Sequence, residues 1–494
     1  MPKSILNYSL LCAGLFISSL SCAQMDSSSC EALVSLGLAD GVISSAEYVD
    51  AGSFNATSAR GTEVYNDLQA FCRISAVLSP VEGSNIQIEV WLPVQGWNNK
   101  LVAVGNGGLA GSISYSALAG AVAEGFAAVS TDTGHEGQNP DFLTDRVLLT
   151  DFAYRAIHEM TVTAKAVVSN YYSINPRFTY FSGCSTGGRQ ALTAAQRYPD
   201  DFDGIVAGAP ANSTVRMTMQ QLWNSRVVNE KPSLNLSSED FVKLNDYVLA
   251  SCDSLDGLED GLIENPALCM ADPANVAEFN QEEIEAFLLI YQGAVNPVSG
   301  ELIYPGFAKG SELAWTTMVR AEPFGYSNDM QTFVVNQDPE WDFMAMDYSR
   351  DLSILDDRVN ALGMQAINPD ISEFINNGGK LLLYHGWNDP LISPFNTISY
   401  YNEVLSTIDS DAQESISLFM MPGVNHCAGG NGFDTWSKLH TIDEWRESGQ
   451  APQRINAAHL EGEVATTRPL CAYPQVAVYT RSGDASDAAS FECR

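Results

Sequence analysis

The sequence predicts an α/β fold: a mostly parallel sheet with helices on both faces, broken by a large inserted lid domain. Three observations carry this reading. Short apolar or β-branched strands alternate with helical stretches through the first part of the chain, the pattern that crossover connections give to a parallel sheet. The alternation stops near Asn212 and returns only at Lys380 to Tyr384. Between Phe178 and Gln190 the run Phe-Thr-Tyr-Phe-Ser-Gly-Cys-Ser-Thr-Gly-Gly-Arg-Gln reads as strand, sharp turn and helix, with Ser185 on the bend.

In chain order, Lys3, the apolar run Leu10 to Leu20 and the small residues Ser21-Cys22-Ala23 form an export signal over residues 1–23. A secreted or periplasmic protein is expected. Cys22 is set aside as a lipidation site because Ser19 stands where such signals carry an aliphatic residue. No later stretch is long and apolar enough to span a membrane. Cys30 to Leu78 is a mixed opening segment, whose end, Phe71 to Leu78, pairs with Ile86 to Leu92 as alternating strands around a turn at Pro80 to Ser84. Leu101 to Val104 is a buried strand, followed by Gly105-Asn-Gly-Gly108. Such a glycine cluster frees backbone N–H groups for one half of an oxyanion hole, although a plain glycine turn fits this segment equally well. Tyr115 to Glu124 is helical, Phe126 to Ser130 a strand and Phe152 to Tyr172 a helix before the Ser185 strand. Asp132 and His135 lie in a loop and are read as a hydrogen-bonded turn rather than as catalytic groups.

Residues 24–212 and 366–494 thus form the core and 213–365 the lid, with helices at Ser238 to Ser251 and Gln281 to Tyr291. Trp315, Phe324, Phe333, Trp341 and Phe343 suit an aromatic-lined pocket, though each taken singly is better read as lid core.

Two further strands end in chemistry-bearing loops. Lys380 to Tyr384 leads into His385-Gly-Trp-Asn-Asp389, and Ile416 to Met421 into Pro422-Gly-Val-Asn-His426-Cys427. Ser185, Asp389 and His426 therefore each follow the C-terminal end of a strand, the edge at which open α/β sheets bind ligands. A serine hydroxyl needs a base within hydrogen-bond reach, and the base needs an orienting acid. His426 is expected to be the base and Asp389 the acid; His385 is the rival base. Cys184 precedes Ser185 and Cys427 follows His426. A disulfide holds its Cα atoms about 5.5 Å apart, so pairing these two would bring nucleophile and base together.

A second motif, Cys252-Asp-Ser-Leu-Asp-Gly-Leu-Glu-Asp-Gly-Leu262, offers Asp253, Asp256 and Asp260 as hard oxygen ligands in a glycine-bent loop. Calcium is the expected ion; the other reading is a solvated acidic loop stapled by Cys252 and Cys269.

Composition narrows the partners. The 494 residues carry 25 Lys and Arg against 60 Asp and Glu, a net charge of −35. Such a surface repels nucleic-acid backbones and anionic lipid. Ten cysteines less Cys12 and Cys22 leave eight, an even number consistent with disulfides in an exported protein, with 105 possible pairings.

Gly-Cys-Ser185-Thr-Gly-Gly-Arg, Gly-Trp-Asn-Asp389-Pro-Leu-Ile, Asn-His426-Cys427 and the ending Thr467-Arg-Pro-Leu-Cys471-Ala-Tyr-Pro-Gln resemble the tannase and feruloyl esterase family, which also includes a hydrolase of terephthalate monoesters. The resemblance runs from Cys30 to the tail. It implies an α/β-hydrolase core with an inserted lid. It also implies Ser185 as nucleophile, Asp389 as orienting acid, His426 as base, and an oxyanion hole from the amides of Thr186 and of Gly107 or Gly108. Calcium would be held in the lid by Asp253, Asp256 and Asp260 with the carbonyls of Leu258 and Leu262. The implied disulfides are Cys30–Cys72, Cys184–Cys427, Cys252–Cys269 and Cys471–Cys493.

The expected activity is hydrolysis of small aromatic esters (feruloyl or hydroxycinnamoyl, galloyl or terephthalate monoester) through an acyl-enzyme. The alternatives are a calcium-dependent, non-catalytic binding protein on the same scaffold and an esterase for aliphatic esters. Arg320 is the lid cation that an anionic substrate would call for. Sequons stand at Asn55, Asn212 and Asn235.

Overall fold

In the computed structural model of the chain, nine strands form one sheet; residues 27–494 are described, apart from 59, 60, 232, 235, 351 and 463. The expected export signal and the sequon residue Asn235 lie outside the described residues. The strands are β1 (Gly41–Val49), β2 (Phe71–Leu78), β3 (Ile86–Pro93), β4 (Lys100–Val104), β5 (Ala127–Thr131), β6 (Phe178–Cys184), β7 (Gly204–Gly208), β8 (Lys380–Gly386) and β9 (Ile416–Met421). Their order is β1-β2-β3-β5-β4-β6-β7-β8-β9. The six from β5 to β9 in that order run parallel, and β1 to β3 form an antiparallel edge. This is an α/β-hydrolase sheet.

Burial on both faces explains the continuous apolar runs of the central strands. In β8, Leu381 and Leu383 pack into one core with Phe181, Ile205 and Val404, while Leu382 and Tyr384 pack into the other with Tyr180, Val206 and Trp445. The helices Ala156–Tyr172 and Pro394–Thr407 cover the first face; Tyr115–Ala123 and Lys438–Ser448 cover the second. β7, Gly-Ile-Val-Ala-Gly, escapes sequence reading because it is short and buried throughout, so no alternation marks it. The edge strand β1 escapes too, since its burial pattern is irregular. The helix expected from Phe152 opens with a π-helical turn over Asp151–Arg155 before Ala156–Tyr172.

Between β7 and β8 the chain leaves the sheet. Helices Ser238–Cys252 and Gln281–Gln292 each begin with a capping box, Ser237 with Asp240 and Asn280 with Glu283, which satisfies orphan N–H groups at both starts. These helices close over a core of their own around the fully buried Trp315, with Phe241, Phe287 and Phe307. The helix Thr214–Asn229 ties the insert to the loops and helical turns around the sheet: Val215, Met217 and Leu222 share a cluster with Leu109, Phe142 and Phe152. Beyond β9 a hairpin, Arg454–Glu461 with Val464–Cys471, follows the last long helix. Among the described residues no helix is long and apolar enough to cross a membrane.

Candidate active site

β6 ends between β4 and β7 and turns at Ser185 into the helix Thr186–Arg197. Ser185 takes φ 65° and ψ −121°, a conformation that costs a non-glycine residue on the order of 1–3 kcal/mol and needs its surroundings to enforce it. They do. Its N–H donates to the Gly208 carbonyl at 3.0 Å, and its own carbonyl accepts from Arg189 at 3.0 Å and Ala211 at 3.1 Å. The bend closes so tightly that a Cβ on Gly183 would stand 2.7 Å from the Gly187 backbone. Gly187 in turn donates to the Asn106 carbonyl at 2.8 Å, joining the turn to the glycine loop after β4. The twelve-residue helix behind Ser185 directs its positive end at the bend.

Asp389, in the loop after β8, is fully buried. Its Oδ1 accepts from the N–H groups of Leu391 at 2.8 Å and Ile392 at 3.0 Å. Its Oδ2 faces His426 Nδ1 at 2.7 Å and His385 Nε2 at 3.0 Å. Burial alone would raise this carboxyl, but the charge of His426 and the hydrogen bonds from both histidines prevail and hold it well below the usual carboxylate range. The insert clamps the loop: Asn388 donates to the Gly310 carbonyl at 2.8 Å, Ser393 to that of Gly306 at 2.7 Å, and Gln221 to that of Leu391 at 2.5 Å.

His426 follows β9 and, with Ser185, lines a cavity of about 350 Å³. The neighbouring residues are bonded: Cys184 and Cys427 form a disulfide with Cα atoms 6.0 Å apart. The other disulfides are Cys30–Cys72, Cys252–Cys269 and Cys471–Cys493. Gly107, Gly108 and Thr186 stand on the same cavity wall, and the Thr186 hydroxyl ties the loop in place by donating to the Gly108 carbonyl at 2.7 Å. The remaining lining includes the apolar Ala211, Met217, Phe324, Leu391 and Ile392. Of the five insert aromatics singled out from sequence, Phe324 alone lines this cavity. Trp315 is insert core, Trp341 and Phe343 pack against the cluster the insert shares with Leu109, Phe142 and Phe152, and Phe333 lines a separate cavity. Arg320 is exposed and does not line the cavity. Met217 and Gln221 gave no signal in the sequence, because the helix that carries them is buried nearly all round.

His385, the rival base, is fully buried and does not line the cavity. Asp132 holds its own turn to β3, and His135 reaches the segment that follows the glycine loop. Asp132 Oδ1 accepts from Gln87 and Gly134 N–H groups at 2.9 and 2.8 Å, yet burial pushes its pKa up to about 7. His135 Nε2 lies 2.6 Å from the Leu109 carbonyl, and its ring stacks 3.6 Å from Phe142.

In the acidic loop, Asp256 is buried and its Oδ2 has no hydrogen-bond partner. Burial, with the like charges of Asp260 and Asp253 nearby, lifts its pKa to about 6. An orphaned, buried carboxylate oxygen beside two further carboxylates fits a hard cation. Asp253 is engaged by the N–H groups of Asp260 and Gly261, and Asp260 by that of Leu262 and by Arg468 at 2.5 Å. Accordingly, among the described residues no three acidic, His or Cys side chains form a ready-made metal cage. The carbonyls of Leu258 and Leu262 belong to the same loop.

The family profile described as tannase and feruloyl esterase matches residues 72–494. An uncharacterized esterase of Xanthomonas campestris pv. campestris is 33% identical, covering 94% of this chain and 91% of its own. A probable feruloyl esterase B of Aspergillus clavatus is 34% identical over 85% of this chain and 86% of its own. The crystal structure of feruloyl esterase B from Aspergillus oryzae superposes with a TM-score of 0.85 at 29% identity, covering 95% of this chain and 100% of that one.

Proposed function

Since the chain belongs to the tannase and feruloyl esterase family and is a carboxylic ester hydrolase, we propose that it cleaves esters of aromatic acids through an acyl-enzyme on Ser185. The observation that carries this is the Asp389–His426 contact at 2.7 Å, with His426 and Ser185 on one apolar cavity and their neighbours Cys184 and Cys427 covalently joined. Because Asp389 accepts at His426 Nδ1, that nitrogen carries the proton and Nε2 is left as the base. Ser185 Oγ attacks the ester carbonyl as His426 Nε2 takes its proton. The amides of Thr186 and of Gly107 or Gly108 receive the oxyanion, and the helix N-terminus adds to their field. Collapse breaks the ester bond, and His426 returns the proton to the departing alkoxide. Water, deprotonated by His426, then attacks the acyl group; collapse returns the proton to Ser185 and releases the acid. Phe324, Met217 and Ile392 supply apolar walls for an aromatic ring.

In this reading residues 213–365 form the lid, residues 1–23 direct export, and the lid loop takes a structural calcium through Asp253, Asp256 and Asp260 with the Leu258 and Leu262 carbonyls. The ion would neutralise a like-charged loop; no catalytic step passes through it. A non-catalytic, calcium-dependent binder is disfavoured because each position the chemistry needs is filled. Turnover of methyl ferulate, methyl gallate and a terephthalate monoester by wild type and Ser185→Ala tests the proposal. Loss of all three activities in the variant is expected, and equal turnover by the two proteins overturns it.

A further inference from the structure

Asp389 Oδ2 is shared between two imidazoles, and only one of them faces the cavity. The other, His385, is fully buried on β8 and makes three short contacts. Its Nε2 lies 3.0 Å from Asp389 Oδ2 and 3.0 Å from the Ile392 carbonyl, and its Nδ1 lies 2.7 Å from Thr397 Oγ1. Both partners of Nε2 are acceptors, so Nε2 carries the proton. In the neutral ring, Nδ1 then accepts from the Thr397 hydroxyl, which is itself fully buried on the helix Pro394–Thr407. The contacts therefore select one tautomer and one ring orientation.

We propose that His385 is a positioning residue that tunes the proton affinity of His426 through Asp389. This rests on the triad reading above. A carboxylate oxygen that already accepts one hydrogen bond is a weaker acceptor for the next, so the bond from His385 limits how strongly Asp389 holds the His426 proton. The same bond, with those from Leu391 and Ile392 to Oδ1, fixes the carboxylate plane. Among the described residues, Tyr304, on the insert strand Leu302–Pro305, is a further titratable group near Asp389, and its hydroxyl is held protonated by burial and by the Asp389 charge. It stays neutral across the working range and adds no competing titration there.

The test is the pH dependence of kcat/KM for His385→Leu, His385→Gln and Thr397→Val beside wild type, with thermal unfolding as a check on folding. Leucine removes the donor; glutamine keeps an N–H at the Nε2 end; valine removes the hydroxyl that holds the tautomer. For the leucine variant the acid limb should move to higher pH. Its kcat at neutral pH should fall by about tenfold or more with KM little changed. Glutamine should restore most of both, and valine should shift the limb in the same direction by less. An acid limb for leucine superimposable on wild type, or a glutamine variant displaced as far as leucine, overturns the proposal. Should the leucine variant not fold, the valine variant decides: a shifted limb supports the proposal and an unshifted one overturns it. His426→Ala and Ser185→Ala run alongside; activity in either brings down the triad reading instead, so the two failures are distinguishable.

Discussion

Cys184 and Cys427 are bonded with their Cα atoms 6.0 Å apart, although 243 residues separate them in the chain. The bond joins the end of β6 to the loop beyond β9, so the residues next to it, Ser185 and His426, inherit a fixed separation. In the chain-entropy view, closing so long a loop is worth on the order of 5 kcal/mol. A Cys184→Ala/Cys427→Ala variant should melt at lower temperature and lose kcat by more than it loses KM, because the base drifts from the serine while the apolar walls stay. Steady-state kinetics with calorimetry checks this; an unchanged kcat removes the disulfide from the account.

The Gly183–Gly187 approach predicts a position-specific steric effect. A Cβ at Gly183 meets Gly187 backbone at 2.7 Å, whereas a Cβ at Gly107 finds no heavy atom within 4 Å. Gly183→Ala should destabilise the protein by roughly 1–3 kcal/mol through overpacking and inactivate it by displacing Ser185. Gly107→Ala should leave the unfolding midpoint near wild type. Denaturant titration of both variants discriminates them.

Asp132 gives a pH signature. Its folded pKa is pushed up to about 7 by burial, against an unfolded value near 4, so between those values the folded state holds a proton that the unfolded chain releases. Its contribution to stability is present below about pH 4 and is lost as pH rises through about 7. Asp132→Asn removes that dependence. The stability of the Asn variant relative to wild type should therefore increase from pH 4.5 to pH 8. A pH-independent difference in urea midpoints contradicts this.

Calcium should stabilise the protein without being consumed in turnover. At a hundred times its Kd, a ligand bound only to the folded state adds about 2.7 kcal/mol. Chelation should lower the melting temperature, calcium should restore it, and Asp256→Asn should abolish the response because Asp256 carries the orphaned oxygen. Differential scanning calorimetry with and without chelator is the check.

Phe324, the one sequence-flagged insert aromatic on the cavity, should matter more for aromatic than for aliphatic esters. Phe324→Ala should lower kcat/KM for methyl ferulate by about tenfold or more, in line with the loss of a buried aromatic contact, and lower that for a short aliphatic ester much less. Equal losses on both substrates remove Phe324 from ring recognition.

What the amino-acid sequence revealed, and what it hid, follows from burial. The parallel strands were readable because two-sided packing turns them into apolar runs, as in Leu381 to Tyr384. Ser185, Asp389 and His426 stood out because each follows such a run. β7 is too short to announce itself, whereas Trp315, read singly as lid core, does pack in the insert's own core. The cavity walls were hidden for a different reason: Met217 and Gln221 sit on a helix buried nearly all round, so no polar face marks the side that lines the cavity. His385 looked like a competing base because spacing cannot tell which side of Asp389 an imidazole occupies.

The most direct measurement is the mass of the protein quenched during turnover of methyl ferulate, followed by peptide mapping. A feruloyl adduct confined to the peptide containing Ser185 and absent from Ser185→Ala is expected. An adduct on another residue, or none under conditions where wild type turns over, contradicts it.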